Sequence, residues 1–317
     1  MPSPRHPQPF YTGFLPEQDG HQVYFAQYGN VAGPAIVSLH GGPGSQSKLK
    51  HINGFDLNQY HLIQFDQRGC GQSQPNGELS HNTTQDLVDD MERLRQQLKL
   101  DSWYLAGGSW GSTLALAYAE AHPNRVSGLM LSSIFLARAE DLAWSFTKPG
   151  GVEQLFPDLW VERQKFFDQW QTSPATAAAE ILKLMETSSP EKVAQLAAGV
   201  MNWEGNLMNA FADLSLTNPE DVADEDIAVV KIFLHYEANH FFLKQNQLLK
   251  NADQIAHLPT VIVHGRYDVL CPIAQAWALH QQLPQSELII LPTSNHRLTA
   301  EGNLAKQLAF KLFLTQQ

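Results

Sequence analysis

Gly107-Gly108-Ser109-Trp110-Gly111 is the stretch that decides the fold of this chain. A short apolar run at residues 103–106 precedes it, and a helical pattern of small residues at 112–119 follows it. A G-x-S-x-G motif between a strand and a helix is typical of a nucleophile elbow, a sharp turn that exposes the serine hydroxyl at the end of a sheet. The glycines prevent clashes between the strained turn and its neighbours. A Gly-Ser loop alone would also match the motif, but the flanking strand and helix favour the elbow.

A nucleophilic serine needs a base and an acid that orients the base. In α/β-hydrolases, the fold in which such elbows occur, the chain order is serine, then the acid, then histidine. Asp268 follows a buried apolar run near the C-terminus, and His296 follows the next predicted strand, with one predicted helix between them. His264 competes for the role of base, but its position at a strand end favours burial. We therefore predict a triad of Ser109, Asp268 and His296.

The oxyanion of the reaction needs hydrogen-bond donors. The backbone amide after the nucleophile, that of Trp110, is one donor in this fold, and the second comes from a loop after an early strand. That loop is His40-Gly41-Gly42-Pro43-Gly44, which follows a buried apolar run. Glycines let the main chain approach a substrate closely. Gly42 is the first choice for the second donor, and Gly41 is the next.

The alternation of strands and helices is interrupted between about residues 135 and 251. The pattern predicts strands at 23–28, 36–39, 62–65, 103–106, 129–131, 261–265 and 287–291, and helices within the interruption at 160–170, 175–186, 191–201 and 227–249. It predicts an α/β fold with a mostly parallel sheet flanked by helices. We expect a catalytic domain of residues 1–134 and 252–317, and an all-helical cap of residues 135–251 that restricts access to Ser109.

Several motifs together resemble one family, the proline iminopeptidases (prolyl aminopeptidases), which are serine exopeptidases of the α/β-hydrolase fold. They are HGGPG at 40–44, DQRGCGQS at 66–73, GGSWGS at 107–112 and VHGRYD at 263–268. The resemblance extends from about residue 14 to residue 313. It implies that the protein releases N-terminal proline from small peptides.

The resemblance also implies a substrate pocket in the cap. Two cap segments, around Trp203-Glu204 and Tyr236-Glu237, are similar to family segments whose glutamates bind the proline imino nitrogen. The implied wall around the proline ring consists of Phe135, Phe241 and Cys271. The alternatives are that both glutamates are solvated helix residues and that Cys271 is a buried structural thiol. Ser132-Ser133 departs from the Arg-Gly pair usual in the family, which leaves the strictness of proline selectivity open.

Composition limits the class of protein. The chain has 317 residues, a hydrophobic fraction of 43% and a net charge of −11, values that suit an enzyme and disfavour a nucleic-acid partner. No apolar run approaches the roughly 20 residues of a membrane span, and the N-terminal residues do not resemble a secretory signal. With only two cysteines, the chain is expected in the cytoplasm. The sequence predicts no metal and no cofactor, and does not indicate an oligomeric state.

Two other functions fit parts of the pattern. An esterase or lactonase would keep the fold and use the cap to select small neutral acyl groups. A binding or receptor protein on a decayed hydrolase scaffold would have lost the catalytic residues, so the intact serine, aspartate and histidine argue against it.

Overall fold

The computed structural model describes residues 7–146, 151–170, 176–210 and 216–316. Eight strands, β1 to β8 in chain order, form one sheet: Tyr11–Phe14, Tyr24–Gly29, Ala35–Leu39, His61–Phe65, Trp103–Ser109, Val126–Ile134, Thr260–Gly265 and Ser286–Leu291. The order across the sheet is β1-β2-β4-β3-β5-β6-β7-β8. Strand β2 is antiparallel to both of its neighbours, and β3 to β8 are parallel. The predicted α/β-hydrolase fold is confirmed, with all seven predicted strands present.

Strand β1 was not predicted, because it is short, lies at the sheet edge and carries exposed aromatic side chains at Tyr11 and Phe14. The inner parallel strands behave differently: every residue of β3 and β4 is buried. Helices cover both faces of such a sheet, which is why these strands are buried along their whole length and rich in apolar residues.

The described residues contain ten α-helices, α1 to α10 in chain order: Thr84–Gln97, Trp110–Ala121, Ala139–Phe146, Pro157–Trp170, Ala177–Thr187, Pro190–Met208, Asp224–Ala238, Gln247–Lys250, Ile273–Gln282 and Ala300–Thr315. Helices α3 to α8 lie between β6 and β7, where the sequence predicts the cap. Helices α3 to α7 contribute to an apolar cluster of the cap region, which also includes Val269 and Cys271 from the loop after β7. The division into domains 1–134 with 252–317 and 135–251 stays a prediction.

The single helix predicted at 227–249 is wrong. Helix α7 ends at Ala238, a 3-10 turn covers His240–Phe242, and α8 begins only at Gln247. Three consecutive residues of the turn have φ between 51° and 54°, a left-handed conformation that an α-helix cannot continue through. The apolar pattern persists across this break, so periodicity alone does not show it. Residue 175, where another predicted helix begins, lies outside the described residues.

The turn between β5 and α2 is the predicted nucleophile elbow. Ser109 is the last residue of β5 and has φ 57°, and the helix begins at the next residue. The Ser112 hydroxyl donates to the Ser109 carbonyl at 2.6 Å, which ties the first turn of the helix to the strained residue. A Cβ atom on Gly111 would lie 2.5 Å from the carbonyl oxygen of Leu39 in β3. The glycine therefore allows the helix to start directly against the sheet.

We expect Gly111→Ala to lower the free energy of unfolding by about 1–3 kcal/mol, because the added methyl group forces backbone atoms apart. Urea denaturation would measure the change. Gly205→Ala in α6 is the matched control: its Cβ would meet nothing within 4 Å, so it should leave stability unchanged or raise it by up to about 1 kcal/mol. Equal stability of the two variants would contradict the packing argument.

Candidate active site

The predicted acid and base meet at the ends of neighbouring parallel strands. Asp268 lies in the loop after β7, and His296 lies in the loop after β8. The Nδ1 atom of His296 is 2.9 Å from Asp268 Oδ2 and 3.1 Å from Oδ1. Both side chains are buried. Burial opposes charging of the imidazole, but the Asp268 carboxylate outweighs it and raises the pKa of His296 above its ordinary value. Nδ1 is occupied by the acid, so Nε2 is the nitrogen that can accept a proton.

The Asp268 carboxylate is held by its own loop. The backbone N–H of Cys271 donates to Asp268 Oδ1 at 2.8 Å. His264, fully buried, fixes the loop from the other side: its Nδ1 accepts from the Ile134 amide at 3.0 Å, so its Nε2 donates to the Cys271 carbonyl at 2.8 Å. Burial lowers the pKa of His264 and keeps the ring neutral. His264 is therefore a supporting residue in this arrangement.

The predicted nucleophile, Ser109, lies near the loop that carries His296. Ser109 is opposite Ile134 in the register of β5 with β6. The residue before Ile134, Ser133, donates its hydroxyl to the His296 carbonyl at 3.1 Å. In the described part of the chain, no hydrogen bond joins the Ser109 hydroxyl to His296. Such contacts are often long without substrate and tighten when it binds. The Ser109–His296 contact stays a prediction.

The HGGPG loop lies against the elbow. A Cβ atom on Gly41 would be 3.6 Å from the Cβ of Ser109, and Gly42 has φ 117°, which a side chain would strain. Gln67 holds the two together: its amide nitrogen donates to the His40 carbonyl at 3.0 Å, and its oxygen accepts from the indole N–H of Trp110 at 2.8 Å. The two predicted oxyanion donors, on Gly42 and Trp110, thus belong to one braced unit, and their roles stay a prediction.

Glu204 and Glu237 come from different helices, α6 and α7, and line the same cavity. The cavity has about 400 Å³ of empty space, part of it open to solvent. Burial raises the pKa of each carboxyl to about 7. The His296 and Arg297 charges oppose the shift at Glu204, and the negative charge of Glu204 adds to the shift at Glu237. Two carboxyl groups of raised pKa therefore face one space, and one of them, Glu204, interacts electrostatically with His296.

Arg163 lines the same cavity from α4. Its guanidinium carbon lies 4.2 Å from the ring centre of Phe167, 4.8 Å from Trp203 and 5.0 Å from Trp160. Its Nη1 atom is buried with no hydrogen-bond partner. Burial lowers the pKa of Arg163 to about 10, against the opposing effect of Glu237. The cation in turn favours the ionised form of Glu237.

The residues predicted to form the proline wall have different surroundings. Phe135 is half-buried and packs edge-on against Phe241 at 4.9 Å between ring centres. Phe241 is only 1% exposed and lies 5.7 Å from the Trp110 ring, so it supports Phe135 more than it presents surface of its own. The Cys271 sulfur lies within 4.8 Å of both the Asp268 oxygen and the His296 nitrogen. Their contact with a substrate stays a prediction.

That Asp268, Cys271 and His296 group is the one set of side chains, within the described ranges, with ligand atoms close enough to share a metal ion. Asp268 and His296 already bind each other, and burial raises the pKa of the Cys271 thiol well above its usual value. A thiolate, the form that binds metals, is therefore disfavoured here. The donor set fits an acid–base pair better than a metal centre.

Two residues near the site, Arg163 and Asn295, were not singled out from the sequence, and Ser133 was noted only as part of a departure from the family pattern. The Asn295 side chain donates to the Ala210 carbonyl at 3.1 Å, which ties the loop of His296 to the segment after α6. Asn295 directly precedes the predicted base, His296, and this position in the sequence could have marked it as a residue near the site. Nothing in the local pattern around Arg163 distinguishes it from a solvated helix arginine.

Comparisons with known proteins agree with this architecture. Residues 34–302 match a family model described as the alpha/beta hydrolase fold. The chain is 41% identical over 301 residues to a probable proline iminopeptidase of Leptolyngbya boryana, an alignment that covers 94% of this chain and 92% of the relative. It is 38% identical over 298 residues to a proline iminopeptidase of Arabidopsis thaliana, covering 93% and 77%.

Solved structures show the same fold at lower sequence identity. An esterase from Exiguobacterium antarcticum is similar with a TM-score of 0.63 and 21% identity, covering 95% of this chain and 98% of that one. A bromoperoxidase from Bacillus anthracis is similar with a TM-score of 0.62 and 18% identity, covering 96% and 100%. The family match and the identity over nearly the whole chain agree with the fold described above. The chain therefore belongs to the α/β-hydrolase family and, within it, to the proline iminopeptidases.

Proposed function

We propose that this protein is a serine aminopeptidase that releases N-terminal proline from short peptides. The observation that carries the proposal is the pair Glu204 and Glu237, two half-buried carboxylates that line one cavity close to His296. A secondary ammonium in such a space gains from nearby carboxylates far more than it would in water. The relatives named above support proline as the residue released.

In the proposed reaction, His296 Nε2 accepts the proton of Ser109 while Oγ attacks the carbonyl of the first residue. Asp268 holds the imidazole through Nδ1 and stabilises the imidazolium. The amides of Gly42 and Trp110 donate to the oxyanion. The imidazolium then protonates the leaving amine, which leaves a prolyl ester on Ser109. A water molecule, deprotonated by His296, hydrolyses that ester.

The cap glutamates bind the imino nitrogen in this scheme. Glu204 also interacts electrostatically with His296: its negative charge acts to raise the pKa of His296, and the charge of His296 acts to lower the pKa of Glu204. Arg163 opposes the burial-driven rise in the pKa of the second carboxyl, Glu237, and so favours its ionised form. The half-buried Phe135 ring supplies apolar surface for the pyrrolidine ring.

Three substrates test the proposal: proline-naphthylamide, its N-acetyl derivative and a short neutral acyl ester. A peptidase of this kind should hydrolyse the first at least about 100-fold faster in kcat/KM than the second, because acetylation removes the cation. Equal turnover of the two amides, or preference for the ester, would contradict the proposal and favour an esterase or lactonase.

We expect kcat/KM for proline-naphthylamide to fall as the pH drops below about 7. Glu204 and Glu237, whose pKa values are raised to about 7, become neutral there and lose their attraction for the substrate cation. Protonation of His296, whose pKa is also raised, removes the base as the pH falls. A plot of log kcat/KM against pH should therefore have a slope steeper than one. Glu237→Gln should make the slope shallower, and a slope of one in both proteins would contradict this view.

We also propose a cytoplasmic location. Both cysteines, Cys70 and Cys271, are free and buried, as suits a reducing compartment. No helix in the described ranges is long and apolar enough to cross a membrane. Fractionation of cells followed by immunoblotting would test the location.

A further inference from the structure

A second cleft lies between the segment after the HGGPG loop and helix α10. It has about 360 Å³ of empty space, part of it open to solvent. Its polar lining consists of Lys50, His51, Asn53, Asn303, Lys306 and Gln307. No carboxylate is among the described residues that line it. This is a basic cleft on a chain whose net charge is −11.

The positive charges in and beside the cleft act on one another. Within the described residues, Lys50, Lys306 and Arg297 form no ion pair. Burial lowers the pKa of Lys306, and the charge of Lys50 lowers it further. Burial also lowers the pKa of Lys50, with Lys48 and Arg297 adding to the effect. Partly desolvated like charges repel each other, and a bound anion would relieve the repulsion.

His51 adds a neutral donor to the cleft. The backbone N–H of Lys48 donates to His51 Nδ1 at 3.3 Å, so the ring keeps its proton at Nε2. Burial lowers the pKa of His51 to about 3, with help from the neighbouring cations, and the ring is neutral at working pH. The cleft thus combines two ammonium groups, an imidazole N–H and side-chain amides, which are the donors that an oxyanion accepts from.

The cleft is lined by two segments that follow the HGGPG loop and the loop of His296 along the chain. Its lining segment begins a few residues after the HGGPG loop, and Arg297, whose charge acts on Lys50, directly follows His296. The charge of Arg297 also acts to lower the pKa of Glu204 and of His296. The charge of Lys48 acts to lower the pKa of His40, the first residue of the HGGPG loop. The lining residues of the two cavities do not overlap.

These positions define a direction for the substrate. If the cap glutamates hold the imino nitrogen and Ser109 meets the first carbonyl, the remainder of the peptide leaves the site outside the cap cavity. We propose that the cleft lined by Lys50, His51 and Lys306 binds the C-terminal carboxylate of a short proline-led peptide. The inference rests on the proposed function and adds a substrate class to it. That class is peptides of a few residues with a free C-terminal carboxylate, long enough for the carboxylate to reach the cleft.

The test compares peptide acids with their C-terminal amides at fixed lengths: Pro-Gly, Pro-Gly-Gly and Pro-Gly-Gly-Gly. Each glycine moves the carboxylate by up to about 3.5 Å, so one length should match the cleft best. At that length kcat/KM should be about fivefold or more higher for the acid than for the amide at low salt. Without the cleft, the net negative chain would disfavour the acid. The preference should shrink at 0.5 M salt, where charges are screened within a few ångströms.

Lys50→Met and Lys306→Met, separately and together, should bring the ratio of acid to amide toward one and leave the amides within twofold of wild type. Lys311→Met is the matched control: it lies on the same helix, is exposed and does not line the cleft. Melting temperatures show whether Lys306→Met folds, and the exposed Lys50→Met carries little folding risk.

An acid-to-amide ratio of one or less at all three lengths, or one that the double variant leaves unchanged, would overturn the proposal. Inorganic phosphate tests the alternative that the cleft binds a free anion. If phosphate binds in calorimetry and the ratio stays at one, the cleft takes a free anion and the peptide assignment is wrong. Proline-naphthylamide, which has no carboxylate, separates this outcome from failure of the proposed function, since an enzyme that lacks aminopeptidase activity would not hydrolyse it.

Discussion

Replacing Ser109 with alanine is expected to lower kcat for proline-naphthylamide by about 10⁴-fold or more, because the attacking oxygen is removed and the two-step reaction is lost. The fold should be retained, since alanine occupies the same backbone conformation and the Ser109 side chain forms no hydrogen bond in the described structure. Circular dichroism and a melting curve would confirm folding. Wild-type activity in a folded Ser109→Ala variant would refute the nucleophile and the mechanism built on it.

A serine-directed phosphonate gives a second readout that does not depend on the substrate. Mass spectrometry should find one adduct on Ser109 in the wild type and none in Ser109→Ala. Ser112→Ala is the matched control, because its hydroxyl is buried in the same turn and donates to the backbone. It should keep the label and lose about 1 kcal/mol of stability. A label on any residue other than Ser109 would also count against the assignment.

The second large effect concerns the cap glutamates. Glu204→Gln and Glu237→Gln should each raise KM for proline-naphthylamide by about 100-fold, because a partly buried cation loses a charged partner. Hydrolysis of a neutral acyl ester should change by less than about threefold, since that substrate has no cation. The two effects should not add independently, because the two carboxyl groups face one cavity and the charge of Glu204 raises the pKa of Glu237.

Glutamine preserves the shape of the side chain, so the folded state is expected to persist. At pH 8 a carboxyl whose folded pKa is raised costs folding free energy, and its neutral replacement should keep or raise the melting temperature. Glu225 is an exposed acid on the same helix as Glu237, so Glu225→Gln is the matched control. It should leave the hydrolysis of both substrates unchanged. Equal losses of activity on proline-naphthylamide and on the neutral ester would argue against cation binding.

The sequence predicted most of the sheet because the strands of a covered parallel sheet are apolar on both faces. It predicted less well where local pattern and geometry diverge. The apolar period runs on through residues 239–246, while the backbone turns left-handed there and ends α7. Strand β1 was missed for the opposite reason: a short edge strand with exposed side chains has little pattern to detect.

The site divides in the same way. Asp268 and His296 could be named from sequence because the fold places them after successive parallel strands, whose carboxyl ends lie together. The support from His264 and Gln67 could not, since each joins segments that are distant along the chain. Family resemblance singled out Glu204 and Glu237, but the space they share follows from how α6 and α7 pack.

The amino-acid sequence by itself determined the strand, elbow and helix around Ser109, and the order of serine, acid and base, because these depend on local pattern and on the connectivity of a parallel sheet. Only the tertiary structure decided which charges meet. It set Arg163 among aromatic rings, beside a cavity with two carboxylates, and it gathered Lys50 and Lys306 from opposite ends of the chain into one cleft. The reason is that charge interactions depend on separation in space and on burial, and neither is encoded in the neighbours of a residue along the chain.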